Sequence, residues 1–173
     1  MSAEDVVASF NSSVKLDMEE GNRQSESTRS RQTWFVAIAG FAILNSRQLW
    51  EAILTRALRP GEFVLMAIPW LVAAVAAVWT HYLGGLHDIA RHKFFLNKIA
   101  ELDLLYETTK ERRPNPVMWK AVINDDTEAL RPLRKEADSY VARVNRSERI
   151  ALGGIAAGFV WTIAIPLILT ICG

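Results

Sequence analysis

The side chains able to do chemistry are few, and their spacing says what they could do. His81, Asp88 and His92 stand at i, i+7 and i+11, one face of a helix. Such a face can hold a metal ion or pass a proton. The chain has only 3 histidines and no further ligand cluster, so neither a metal nor a cofactor is expected. An intramembrane enzyme would have to work through these three residues. Cys172 is the single cysteine and lies in an apolar run, which excludes a disulfide within the chain and argues against a nucleophile. There is no phosphate-binding glycine loop, G-x-S-x-G, H-E-x-x-H or C-x-x-C; Gly84-Gly85 and Gly153-Gly154 are isolated pairs. The expectation is a protein that is not an enzyme.

A second constellation is polar rather than catalytic. Asn45, Gln48, Glu51 and Thr55 fall at i, i+3, i+6 and i+10 and form one stripe, with Arg47 and Glu51 an i, i+4 ion pair. Polar side chains at membrane depth face a bundle interior or water. The stripe is therefore a candidate pore lining, supplied once by each copy of an oligomer. The plainer alternative is a helix end emerging into water.

What must position these residues is a set of apolar helices. Of 173 residues 50% are hydrophobic and 23% charged, and 20 basic side chains against 19 acidic leave +1. That balance argues against a protein that coats nucleic acid, whose affinity needs a basic surplus. Residues 150–172 (IALGGIAAGFVWTIAIPLILTIC) hold no charge and make a helix of about 34 Å, enough for a hydrocarbon core of about 30 Å. Residues 63–83 are also free of formal charge, and Pro69 within them requires a neighbour to satisfy the carbonyl it frees. Residues 33–44 (TWFVAIAGFAIL) are too few alone but reach bilayer length if the helix continues to Leu54, with Arg47 snorkelling to the far interface. The expected fold is all-α, a multi-span helical membrane protein with three transmembrane helices (33–54, 63–83 and 150–172). A polar segment, 1–30, precedes them, and a cytoplasmic helical region, 84–149, separates the second from the third. If 33–44 is instead a short re-entrant or interfacial helix, the N-terminus changes side.

Positive charge near the span ends sets the orientation. Arg143, Arg146 and Arg149 precede the third block and only Gly173 follows it. Arg91, Lys93 and Lys98 follow the second block, against Arg56 and Arg59 before it; the first block is balanced. With three spans the N-terminus and 84–149 face the cytoplasm, residues 55–62 form a short outer loop, and the C-terminus is periplasmic. The first thirty residues carry no apolar core before a small-residue cleavage site, so no signal peptide is expected.

The cytoplasmic part mixes both charges and reads as solvated helices. Phe95, Ile99, Leu102 and Tyr106 form an apolar stripe on a helix over 86–112, which Pro114 and Pro116 end. Residues 117–123 are a short apolar element. Asp125-Asp126-Thr127-Glu128 suits the start of a last helix that runs through Arg149 into the third block. Residues 6–18 offer a short amphipathic helix, a disordered tail being the alternative. Arg112, Arg113, Arg131, Arg134 and Lys135 are candidate contacts for a nucleotide-type or nucleic-acid signal, since they give charge-assisted bonds to phosphate. Gly154 and Gly158, with Ala73 and Ala77, are small-residue pairs that let helices approach, within one chain or between copies. Trp34 and Trp79 suit interfacial belts, whereas Trp70 and Trp161 lie deeper.

Over residues 29–123 the order of features resembles the RipA-type small octameric membrane proteins and the related SLATT membrane domains of bacterial conflict systems. The resemblance rests on Arg29 and Arg31 leading into TWFVAIAGFAIL, on Trp79 and Tyr82 closing the second block, and on Lys93-Phe94-Phe95, Ile99, Glu101 and Tyr106. Leu104-Leu105 stands where that group has Leu-Pro, and the third span is an addition. The resemblance implies a ring-like oligomer in the inner membrane and, from the SLATT side, a pore-forming or membrane-perturbing effector of antiviral defence under nucleotide-type control. The expected function is accordingly an oligomeric, channel-like inner-membrane effector, possible partners being the bilayer, further copies and a cytoplasmic signal or protein. The alternative is a non-conducting membrane scaffold that recruits a cytoplasmic partner.

Overall fold

A computed structural model describes residues 3–109 and 116–172. Among the described residues there is no strand; four helices follow one another as α1 (Ala3–Leu54), α2 (Pro60–Thr109), α3 (Pro116–Ile123) and α4 (Leu130–Cys172). The helix expected over 86–112 is, as far as Thr109, the second half of α2, without a break at the end of the apolar block; residues 110–112 and Pro114 lie outside the described residues. The last apolar block is likewise the second half of α4. The N-terminal segment differs from the expectation of a short helix or a tail: α1 runs 52 residues unbroken.

The reason for that length lies in a seam. Val14, Gly21, Gln32, Ala39, Ser46 and Trp50 of α1 are buried, with Met18, Ser25, Thr28 and Phe35 half-buried between them. The spacing alternates three and four, the period of helices packed knobs-into-holes. Half of this seam is small or polar, so hydrophobicity alone does not reveal it. The second half of α4 carries the same spacing through Ser147, Ala151, Gly154, Gly158 and Thr162.

The chain divides into two compact units: Met1–Ser27 with Gly84–Ala142, and Thr28–Leu83 with Arg143–Gly173. The first unit has its core in Phe94, Leu102, Leu105, Val122 and Leu130, with Phe10, Phe95, Trp119 and Leu133 packed on it. Lys98 is 8% exposed there, paired with Asp125 and set over the rings of Phe10 and Phe94. Arg91 donates to the carbonyls of Asp17 and Met18, and its guanidinium fills the place a Cβ on Gly21 would take. α3 closes in a left-handed Asp125, with Asp126 N–H bonded to the Ala121 carbonyl and Asp125 N–H to that of Val122, a Schellman cap. Thr127 caps α4 by accepting from Leu130 N–H at 3.1 Å, while its hydroxyl donates to Glu101 at 2.8 Å.

The second unit holds the apolar stretches. Two helices are long and apolar enough to cross a membrane, α2 within Pro60–Thr108 and α4 within Leu130–Ile171; of the apolar 18-residue segment in each, only 44% and 22% is buried. Most of their apolar surface therefore faces outward, as lipid requires and water does not favour. α1 is not among them, because Asn45, Ser46, Arg47, Gln48 and Glu51 interrupt its apolar run.

Candidate functional site in the apolar unit

Within the second unit, side-chain contacts set the three helices in register. At one level Arg31 of α1 pairs with Glu148 of α4 at 3.4 Å. At that level too, the hydroxyls of Thr80 (α2) and Ser147 (α4) lie 2.8 Å apart, and both reach the Ala76 carbonyl, at 2.7 and 3.0 Å. Two hydroxyl protons thus serve three contacts and leave none of these buried oxygens without a partner. Gln32, also at this end of the apolar stretch and 2% exposed, has an amide without a partner.

Further along, two tryptophans solve the problem that two prolines create. Pro69 has no N–H, which leaves the Leu65 carbonyl without its helical donor. Trp161 of α4 donates its indole N–H to that carbonyl at 3.0 Å. Pro166 does the same to the Thr162 carbonyl, and Trp50 of α1 donates to it at 2.9 Å. The hydroxyls of Ser46 and Thr162 share a bond of 3.0 Å beside it. An unmet carbonyl in an apolar medium costs about 1–3 kcal/mol. The indoles remove that cost and tie α4 to both neighbours. Proline and tryptophan on different blocks give no local pattern, so sequence reading did not pair them.

The small residues meet inside the chain. A Cβ on Gly154 would lie 3.0 Å from the Ala73 backbone, and one on Gly158 would lie 2.7 Å from the Trp70 ring. Ala73 and Ala77 are fully buried. These four positions seat α4 on α2. Trp34 and Trp79 are 66% and 55% exposed, whereas Trp70 is 1% exposed and meets Phe159 edge-on at 5.2 Å.

The polar stripe of α1 lies on the other side from the seam. Asn45 and Gln48 are exposed, and Asn45 donates one amide N–H to the Phe41 carbonyl at 2.7 Å. Glu51 is half-buried and accepts from Arg47 at 3.0 Å. Thr55 lies just past the end of α1, with φ 54°, a left-handed conformation unusual for a β-branched residue. The loop then enters α2 through Pro60 at its first turn. Glu62 reaches back to accept from Arg59 N–H at 2.9 Å and from the Arg56 guanidinium at 2.6 and 2.8 Å. The Arg56 bond, then the Arg59 N–H, lowers the Glu62 carboxyl to a pKa of about 2, and the same pair raises that of Arg56.

A groove of about 640 Å³ runs along α1 between Trp34 and Leu49, with Trp70 of α2 and Phe159, Thr162 and Ile163 of α4 on its other walls. Its lining is almost wholly apolar. The residues read as a metal or proton site do not assemble. His81 and His92 are exposed, and Asp88 accepts from Ser25 at 2.7 Å. Among the described residues no three His, Cys, Asp or Glu side chains could hold a metal ion. Of the candidate signal contacts, Arg131 is paired with Asp126 at 2.8 Å, Arg134 lies 3.8 Å from Asp125, and Lys135 is exposed. Arg112 and Arg113 lie outside the described residues. Compared with known families, curated proteins and solved structures, the chain matches none.

Proposed function

We propose that this chain crosses the bacterial inner membrane three times and assembles with copies of itself into a channel-like or membrane-perturbing effector. In this reading the N-terminus and residues 84–149 are cytoplasmic and the C-terminus periplasmic. Support for a third span comes from register. α1 lies beside α4 from the Arg31–Glu148 pair to the Trp50–Thr162 bond, and over that length α4 passes from its arginines deep into its apolar stretch.

One observation carries the functional reading. Arg47, Gln48 and Glu51 sit within a turn of Trp50, whose partner Thr162 lies about 18 Å into the apolar stretch of α4. Gln48 is exposed there, and the Arg47–Glu51 pair is only partly covered. Hydrocarbon does not solvate such groups; a ring of copies around water does. Gating would act through 84–149, since α1, α2 and α4 each supply residues to both units. By resemblance the setting is antiviral defence.

The test is conductance. Purified wild-type protein in planar bilayers is expected to conduct and, in detergent, to have a mass that is a multiple of the chain. Replacing Asn45, Gln48 and Glu51 together by Leu should cut conductance about tenfold or more with the mass unchanged. A monomer without conductance sinks the proposal. Unchanged biological activity in the triple variant favours the second reading, a non-conducting scaffold. That reading draws on the first unit, where the apolar side chains of Leu104, Val117 and Met118 are 65%, 74% and 55% exposed.

A further inference from the structure

We propose that the apolar unit holds an acidic phospholipid of the cytoplasmic leaflet, its phosphate against Arg31 and one acyl chain in the groove along α1. The inference rests on residues 33–54 lying in the bilayer, but not on whether the assembly conducts.

Three observations carry it. Arg31, Trp34, Ile38 and Leu49 stand at i, i+3, i+7 and i+18, so the guanidinium shares a face of α1 with the groove and stands one turn beyond its end. From Trp34 to Leu49 the groove runs about 22 Å, and its volume falls in the range of ligand sites. Two of its polar wall residues have partners: Asn45, at the groove's edge, donates one amide N–H to the Phe41 carbonyl, and Ser46 bonds Thr162. Of the remaining lining only Trp34 and Trp70 carry a polar side-chain atom, the indole N–H, and that of Trp70 is buried without a partner; the other side chains are hydrocarbon, which suits an acyl chain.

At the groove's end the charged group on α1 is Arg31, which is paired with Glu148 of α4. Arg31 is 57% exposed at its side chain and has bonds to Glu148 and Thr28, which leaves donors of its five for a phosphate. Arg146 and Arg149 flank Glu148 in the sequence of α4 and are exposed, on other faces of the helix. Arginine binds phosphate with paired, charge-assisted bonds. Exposed Trp34 next to Arg31 is placed as interfacial aromatics are, one end apolar and one wet.

The experiment uses the full-length protein, extracted in mild detergent, with co-purified lipid measured by mass spectrometry. It is then exchanged into mixed vesicles of phosphatidylglycerol and phosphatidylcholine and extracted again. Wild type is expected to retain phosphatidylglycerol in preference to phosphatidylcholine. Arg31→Gln should lower that retention about tenfold, the loss of one charge-assisted contact. Ala37→Trp, which fills the groove, should lower it as far, whereas Val75→Trp on the open face of α2 should not. Helix content and complex mass should stay at wild-type values in all three. Equal retention of the two lipids, or no effect of Arg31→Gln, overturns the phosphate site. If Ala37→Trp instead changes the complex mass while retention persists, the groove seats a second copy and the proposal fails.

Discussion

Trp50 and Trp161 each donate to a carbonyl that a proline four residues further on has left without a helical donor. In lipid such a bond has no competitor in water, so its loss leaves a polar atom unmet. Trp161→Phe should destabilise the detergent-solubilised protein by about 1–3 kcal/mol in thermal unfolding. Adding Pro69→Ala restores an N–H to the Leu65 carbonyl and should recover most of that loss. Additive losses in this double-mutant cycle would show that the indole and the proline are not coupled. Glu62, in the first turn of α2, supplies a second test. Its carboxyl binds a proton more weakly in the folded chain, at about 2, than in the unfolded one, near about 4.3. The contribution of its bonds to Arg56 and Arg59 is thus complete above about pH 4.3 and is lost as pH falls to about 2. An NMR titration of the Glu62 carboxyl should show the low midpoint, and Glu62→Gln should remove this acid-side dependence. Because the pair is solvent-exposed, the effect on overall stability is small.

At the scale of the helix, α4 lies on α2 through glycines that differ in what surrounds them. Gly158 faces the Trp70 ring and Gly154 the Ala73 backbone, whereas a Cβ on Gly153 meets nothing within 4 Å. Gly158→Ala should therefore cost about 1–3 kcal/mol, because the buried indole cannot move aside. Gly153→Ala should be neutral or stabilising by about 0.5–1 kcal/mol through helix propensity. Chemical or thermal unfolding of both variants checks the contrast, and equal effects would mean that α4 does not seat on α2 in this register. The N-terminal half of α1 shows why part of this architecture is hard to read. Its seam passes through Gly21, Ser25, Thr28 and Gln32, residues that carry no hydrophobic signal. Gly21 and Ser25 are met by Arg91 and Asp88, which come from far along the chain.

For the whole molecule the testable quantity is orientation. Changing Cys172 to Ser removes the single cysteine, and a cysteine then introduced at Ala57 or near the N-terminus can be labelled from one side only. With three spans, Ala57→Cys should react with a membrane-impermeant maleimide added outside spheroplasts, and Glu19→Cys only after lysis. Labelling of both from outside would mean that α1 does not cross, which would also remove the lipid site along it. The same result would move Arg47, Gln48 and Glu51 out of the bilayer and take away the ground for a conducting ring.

The apolar character of 63–83 and 150–172, the short element at 117–123, and the junction of each block with a polar helix were legible in the sequence, because length and the absence of charge report directly on the solvent a helix needs. The polar stripe of α1 and the small pairs on α2 and α4 were visible as spacings. Which neighbour they met was not: Gly154 and Gly158 serve either one chain or two until Ala73 and Trp70 are seen against them. Only tertiary structure decided that the prolines are answered by tryptophans of other helices, that α1 is one helix from Ala3, and that Asp88 is bonded to Ser25. The physical reason is common to all three. Each depends on a hydrogen bond or contact between residues distant in sequence, and periodicity along one helix carries no information about its partner.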